Sequence, residues 1–294
     1  MLHVVAENSP RKVHTLSGSA PFTLNILPYI HSGLASFLSN FDRSRSLPCS
    51  GNLTFLSQEI FQEQIERSHQ EYLSKKVDDF LCFFSPSISQ SLAWKNALIL
   101  SIFDGLGISG NRHQMRELAS TLLTKKYESL AQLKSEATNI AFENPDIKWN
   151  YKGLRPNSHP SKRINTAIEF FHFVKSTPFE HFLTPESHKI WFKWCGNIGI
   201  QNAGLPKILY ATVFLPSLYF LGKLFQSEKI IDSVKNEWNL FSAPIPKILL
   251  SEFTQLNISP SVYQKKLGSV HQLREYCKPK KCSECLVLKK AISS

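Results

Sequence analysis

Along most of the chain, apolar positions recur every three or four residues with charged positions between them. From Ser57, "SQEIFQEQIERSHQEYLSKKVDDFLCFF" sets Ile60, Phe61, Ile65, Tyr72, Leu73, Val77, Phe80, Leu81 and Phe84 near a 3.6-residue repeat, the mark of a long helix with one buried face. "SLAWKNALILSIFDGLG" is apolar on several sides and ends on Gly105 and Gly107, which predicts a buried helix stopped by glycine. Asn111 with Gln114 three residues on has the reciprocal capping spacing, and "ESLAQLKSEATNIAF" is closed by Asn144 and Pro145. Further helices are expected at Ser161 to Lys175, Glu186 to Cys195, Gln201 to Phe225 with a break at Pro216, Glu228 to Leu240, Pro246 to Leu256 and Ser261 to Tyr276. The first thirty residues differ. "LHVVAE", "KVHTLS" and "FTLNI" are short β-type or alternating runs with Ser-Pro and Ala-Pro between them, a strand signature. The expected fold is mainly α, a multi-helix bundle with a small N-terminal β or extended element, α+β in all. Residues 1–50 are expected to be a small β or extended segment left from a truncated N-terminal domain, and 51–294 the helical domain with its C-terminal cysteine motif.

Composition narrows the function classes. With 42% hydrophobic residues and 12 glycines in 294, the chain has a globular composition. Three of six cysteines stand alone, Cys49, Cys82 and Cys195, and no leader pattern opens the sequence, which points to a reducing cytoplasm. The longest apolar run, Ile208 to Gly222, contains Pro216 and is shorter than the roughly 20 residues of a bilayer span. It is expected to be two buried helical pieces, with no membrane contact. The net charge is +11, and residues 264–294 carry eight Lys or Arg against two Glu. Such a patch attracts polyanions, nucleic acid first; a solvated basic tail is the plainer reading.

The loop "WNYKGLRPNSHPSKRI" holds two prolines that stiffen its path into a helix whose expected N-cap is Ser161. Lys162 and Arg163 then fall in the first turn, where cations oppose the macrodipole. Either an internal carboxylate pairs with Arg155 or Arg163, or a phosphate binds there beside His159. Asp146 and Lys148 have the spacing of a nuclease Asp-x-Lys pair, but they lie in a Pro-flanked loop without a strand pattern. P-loop, zincin, nucleophile-elbow and dinucleotide motifs are absent, and no residue is assigned a catalytic role. Asp78 and Asp79 are expected to be surface charge, and His69, His172, His181 and His188 packed or exposed without a role.

"LRPNSHPSKRI", "WFKWCGNIGIQNAGLPKILYA", "FLPSLYFLG", "WN" and "YCKPKKCSEC", with "HVV" at His3 to Val5, resemble in their order a large uncharacterised bacterial family, domain of unknown function 2851, over essentially the whole chain. The resemblance implies a segment before "HVV" with a Gly-Asp-hydrophobic-Glu-hydrophobic-His pattern like the acidic core of restriction-type nucleases. This chain starts after that point, so nuclease-like activity is expected only of a longer form. A glycine common in the family shortly after the last cysteine is absent from "CLVLKKAISS".

Cys277, Cys282 and Cys285 have C-x4-C-x2-C spacing, the order of the first three ligands in plant-type iron–sulfur ferredoxins; the C-x2-C half also suits zinc. Free or redox-active thiols and a disulfide are the alternatives. A closed site needs a fourth ligand from upstream. His271 is about 240° from Cys277 around a helix, so the two share a metal only if the helix ends between them. Cys49, Cys82 or Cys195 folded against the tail are the other candidates. The nearby lysines are expected to lower the thiol pKa values. The leading expectation is a cytoplasmic, nuclease-related protein without its catalytic segment, which binds nucleic acid through Arg155, His159, Lys162, Arg163, Lys278, Lys280 and Lys281. The alternative is a non-catalytic module that binds a protein partner, or a truncated copy without independent activity.

Overall fold

The computed structural model describes residues 2–5, 14–15, 17–29, 47, 49–50, 58–107, 110–154, 156–200, 204–256 and 258–293. The protein is mainly helical with a small two-stranded parallel sheet. The chain divides into two compact units: Met1–Tyr72 with Pro244–Ser294, and Leu73–Ala243.

In the first unit, β1 (Leu2–Val5) pairs in parallel with β2 (Phe22–Asn25), Leu2 opposite Phe22 and Val4 opposite Leu24. Those four apolar side chains are exposed. Half of the alternation expected at residues 12–17 falls outside the described residues; residues 14, 15 and 17 form no strand, and Thr15 and Gly18 close a turn, Gly18 N donating to Thr15 O at 2.9 Å. Helix α1 (Gln58–Leu81) starts where the periodicity begins, and its residues up to Tyr72 belong to this unit. Its apolar stripe buries Phe61 and Ile65 against Leu47, Ile245, Leu250, Phe253, Leu256, Ile258, Tyr263, Leu273 and Val287. The stripe is not purely apolar: Gln64, Ser68 and His69 are buried on it, and Leu81 near its end is exposed.

The C-terminal part of this unit departs from the expected long helices. Lys247–Gln255 is wound as a 3₁₀ helix. The expected helix over residues 261–276 is in pieces: Pro260–Tyr263, then Leu267–His271, continued by wider turns through Gln272–Cys277. The break between the first two has a cause, since Ile245 N donates to Gln264 O at 3.1 Å and takes that carbonyl out of the helix.

In the second unit, α2 (Gln90–Leu106) is the hub. Ten of its residues are buried, including Trp94, Leu98 and Phe103, and it packs against α3 (Arg112–Leu123) and α5 (Pro160–Ser176). Asn111 is the N-cap residue of α3, but its side chain makes no capping bond. Its side chain bonds both ways with the backbone of Asn150, at 2.8 and 2.7 Å, and Gln114 donates to Lys148 O at 2.9 Å. The expected capping pair is spent on loop 144–150, whose backbone groups would otherwise lack partners. Helix α4 (Leu130–Glu143) has the cap instead: Ser129 Oγ accepts from Gln132 N, and Gln132 Oε1 accepts from Glu128 N.

Helix α6 (Lys189–Ile198) ends on left-handed Gly199. Helix α7 runs unbroken over Gly204–Leu224, against the expected break at Pro216. Tyr210–Phe214 widens to a π-type turn just before the proline; such a turn opens the spacing and relieves the clash a proline ring makes with the carbonyl four residues back. By length and composition α7 could cross a membrane, and 61% of its apolar stretch is buried inside the protein. Helix α8 (Glu228–Leu240) packs on it. Phe170 stacks on Trp191 at 4.7 Å, and Trp191 and Trp194 both meet Phe214.

Candidate metal centre and cationic turn

The sequence places the cysteine motif at the end of a helix, and the fold decides what surrounds it. Gly268 in α10 (Leu267–His271; the short Pro260–Tyr263 is α9 and Leu286–Ser293 is α11) lies against the backbone of α1 at Ile65 and His69. That close approach sets Gln272 beside Gln64 and Ser68, which lie one turn apart on α1. Gln272 Oε1 accepts from Gln64 Nε2 and Ser68 Oγ, both at 2.7 Å. Gln64 Oε1 accepts from Leu286 N at 2.9 Å. Gln272 Nε2 donates to Cys277 Sγ at 3.5 Å and to Cys285 Sγ at 3.6 Å.

The turn that returns Cys282 towards Cys277 is a Schellman ending. Lys281 N donates to Tyr276 O at 2.8 Å and Lys280 N to Cys277 O at 3.1 Å, the paired bonds of that motif. The left-handed residue in it, where glycine is usual, is Lys280 at φ 58°. A 3₁₀ turn, Cys282–Glu284, then brings Cys285 N to Cys282 O at 3.1 Å. Cys277 and Cys285 pack on the core of this unit, as does Leu47, which anchors the segment carrying Cys49. Cys49 lies close enough to Cys277, Cys282 and Cys285 to feel their charges. Cys82 and Cys195 belong to the other unit.

As placed, and among the described residues, no three His, Cys, Asp or Glu side chains form a metal's ligand shell. His271 turns to Glu71, Nε2 to Oε2 at 3.7 Å. Glu71 also accepts from Tyr276 OH at 2.6 Å and pairs with Arg67 at 2.9 Å; burial first, then this bond, pushes the Tyr276 phenol up to about 12. The expectation that lysines lower the thiol pKa values is corrected. Burial pushes Cys49 up to about 12 and Cys277 up as well, because loss of water outweighs lysines that extend into solvent.

Around this cluster Arg274, Lys278, Lys280, Lys281 and Lys289 are exposed. Lys278 reaches Glu252 at 3.8 Å, and Lys290 pairs with Glu63. The other proposed cations are elsewhere. The N-cap of α5 is His159, with Pro160 as the first helical residue; a proline there is pre-set for the helix and has no N–H to leave unpaired, so it displaces Ser161 from the cap. Ser161 bonds His159 Nδ1 at 2.8 Å. Arg163 donates from Nη2 to Ser158 Oγ at 3.2 Å, and burial lowers its pKa. Among the described residues no carboxylate pairs with Arg163. Lys162 is exposed, and Arg155 lies outside the described residues. Asp146 and Lys148 are both exposed on the loop after α4.

One group of polar residues had no signal in the sequence. Tyr210 OH donates to Glu237 Oε2 at 2.9 Å, and His188 Nε2 stands 3.8 Å from Glu237 Oε1, with Ser233 Oγ 3.3 Å from His188 Nδ1. Tyr210 and Glu237 line an aromatic cavity of about 410 Å³ with Trp191, Phe192 and Phe241. These residues come from separate elements, so no local spacing marks them. Compared with known proteins, the chain matches no family model, no curated protein and no solved structure.

Proposed function

We propose that this chain, as a relative of the domain of unknown function 2851 family, binds nucleic acid in the cytoplasm through the cationic turn and helix at residues 274–290. The observation that carries this is Arg274, Lys278, Lys280, Lys281 and Lys289 exposed on one short folded segment, with Lys280 held in left-handed backbone. A lysine there costs about 1 kcal/mol relative to glycine, and strain of this kind is kept where a side chain is needed. Concentrated cations meet phosphates and release their counterions, which gives affinity without base reading. Helix α7 is read as a core helix in this account, and no membrane is involved.

The test is fluorescence anisotropy of labelled single-stranded and duplex oligonucleotides between about 50 and about 200 mM salt. Affinity should fall steeply with salt. The triple substitution Lys278→Glu, Lys280→Glu, Lys281→Glu should flatten the slope by about 3, one unit per lost phosphate contact. Lys280→Gly should weaken binding yet stabilise its unit by about 1 kcal/mol. Binding that ignores salt, or is indifferent to the triple change, would end the proposal. The second reading, a protein partner, is favoured by the exposed apolar face of Leu2, Val4, Phe22 and Leu24. Light scattering that finds a monomer in cell extract fractions and alone speaks against it.

A further inference from the structure

The structure assigns a thiolate metal centre to Cys49, Cys277, Cys282 and Cys285, with Gln272 as the residue that orients two of its sulfurs. Leu286 N–H can only donate, so the atom of Gln64 facing it is the oxygen. The Gln64 NH₂ therefore faces Gln272 and donates to its oxygen, as Ser68 does. That leaves the Gln272 NH₂ aimed at Cys277 and Cys285, both protons on sulfur. Each polar group in the buried chain Leu286–Gln64–Ser68–Gln272 is satisfied, provided the sulfurs accept.

A neutral thiol is a weak acceptor, and a buried amide aimed at two of them is poorly used. Thiolates bound to a metal accept such bonds well, and groups placed this way hold ligands in position around metals. The sequence pattern supplies three cysteines and the fold supplies the fourth, brought in by the buried anchor Leu47. Four thiolates make a closed set for Zn²⁺ or an iron–sulfur cluster. On binding, each thiol gives its proton to solvent. The sulfurs swing inward by side-chain rotation, since they do not form a shell as placed. Arg67 on α1 is close enough to Cys285 to feel the resulting negative charge, and Arg274, Lys278, Lys280 and Lys281 flank the ligands along the chain. The centre would tie the segment at residue 49 to the C-terminal turn, and so hold in place the cations that the proposed function uses.

The experiment is metal analysis with a visible spectrum on the full chain purified without oxygen, beside Cys49→Ser, Cys282→Ser, Gln272→Leu and, as a control, Cys82→Ser. Near-stoichiometric zinc without colour, or iron with broad visible absorption, supports the centre and says which it is. Metal should be lost in Cys49→Ser and Cys282→Ser and kept in Cys82→Ser. Gln272→Leu should weaken affinity by about 10-fold or more, read by chelator competition. Because a ligand variant can fail to fold, the wild type is also alkylated with and without chelator and mapped by mass spectrometry. Cys49, Cys277, Cys282 and Cys285 should become reactive together only when metal is removed, while exposed Cys82 reacts in both samples. A wild type that neither carries nor takes up Zn²⁺ or Co²⁺, unchanged metal affinity in Cys49→Ser, or alkylation indifferent to chelator would each overturn the assignment. Metal content and nucleic-acid affinity are measured separately, so either reading can fail alone.

Discussion

Gly268→Ala is expected to destabilise the unit formed by Met1–Tyr72 and Pro244–Ser294 by about 3 kcal/mol. A Cβ on Gly268 would meet Ile65 O at 2.3 Å, His69 N at 2.6 Å and His69 Cα at 2.8 Å. All three are backbone atoms of α1, and backbone inside a helix has no rotamer to yield. Relief requires α10 to move away from α1, which pulls Gln272 from Gln64 and Ser68 and exposes Ile65 and Leu273. The loss should therefore be cooperative. All five tryptophans, at positions 94, 149, 191, 194 and 238, lie in Leu73–Ala243, so fluorescence is blind to this transition. It should appear as an early unfolding step in circular dichroism, together with early alkylation of Cys277 and Cys285. Gly204→Ala, where the new Cβ meets nothing within 4 Å, is the control and should shift stability by less than about 0.5 kcal/mol. A Gly268→Ala protein as stable as the wild type would mean that α10 and α1 do not pack this closely.

The sequence shows long periodic helices well and close tertiary approach poorly. Helix α8 spans Glu228–Leu240, the residues its pattern marks, and α1 begins one residue after Ser57. The 3.6-residue repeat is strong in α8 and looser in α1, where Gln64, Ser68 and His69 share the buried face; burial of one face rewards both. Local rules failed where a neighbour outbid them. Asn111 and Gln114 had the spacing for a cap, and a loop distant in sequence took their side chains. Pro216 reads as a break, and a widened turn absorbed it. Ser161 reads as a cap, and Pro160 moved the helix start ahead of it. The candidate centre was legible as far as three cysteines in a row. Cys49 has no local sign of belonging with them. Gln64, Ser68 and Gln272 have even less, because a periodic pattern assigns polar residues to the outside. Their burial follows from one another: each is tolerable only because the next satisfies it.

Trp94→Ala is the other large effect, a loss of about 4 kcal/mol from Leu73–Ala243. Trp94 is fully buried at 0% exposure and among the largest such side chains in the protein. Its ring lies 4.7 Å from Phe182 and 6.0 Å from Phe179, and its indole N–H donates to Ser217 O at 2.8 Å. The indole thus fastens α2 to α7 and to the 3₁₀ turn at Phe179–Leu183 at once. Removing it leaves a cavity walled by three elements, and helices fixed on their other faces cannot close over it. The four remaining tryptophans report on the same unit, so a shifted fluorescence midpoint in denaturant measures the loss directly. Trp94→Phe separates the two contributions. It keeps most of the ring contact but gives up the indole bond to Ser217 O, a carbonyl inside α7 that keeps its helical N–H partner, at a cost of about 1 kcal/mol. If Trp94→Phe costs as much as Trp94→Ala, the hydrogen bond and not the packing holds α7; if Trp94→Ala costs less than about 1 kcal/mol, α2 is not the hub of this unit.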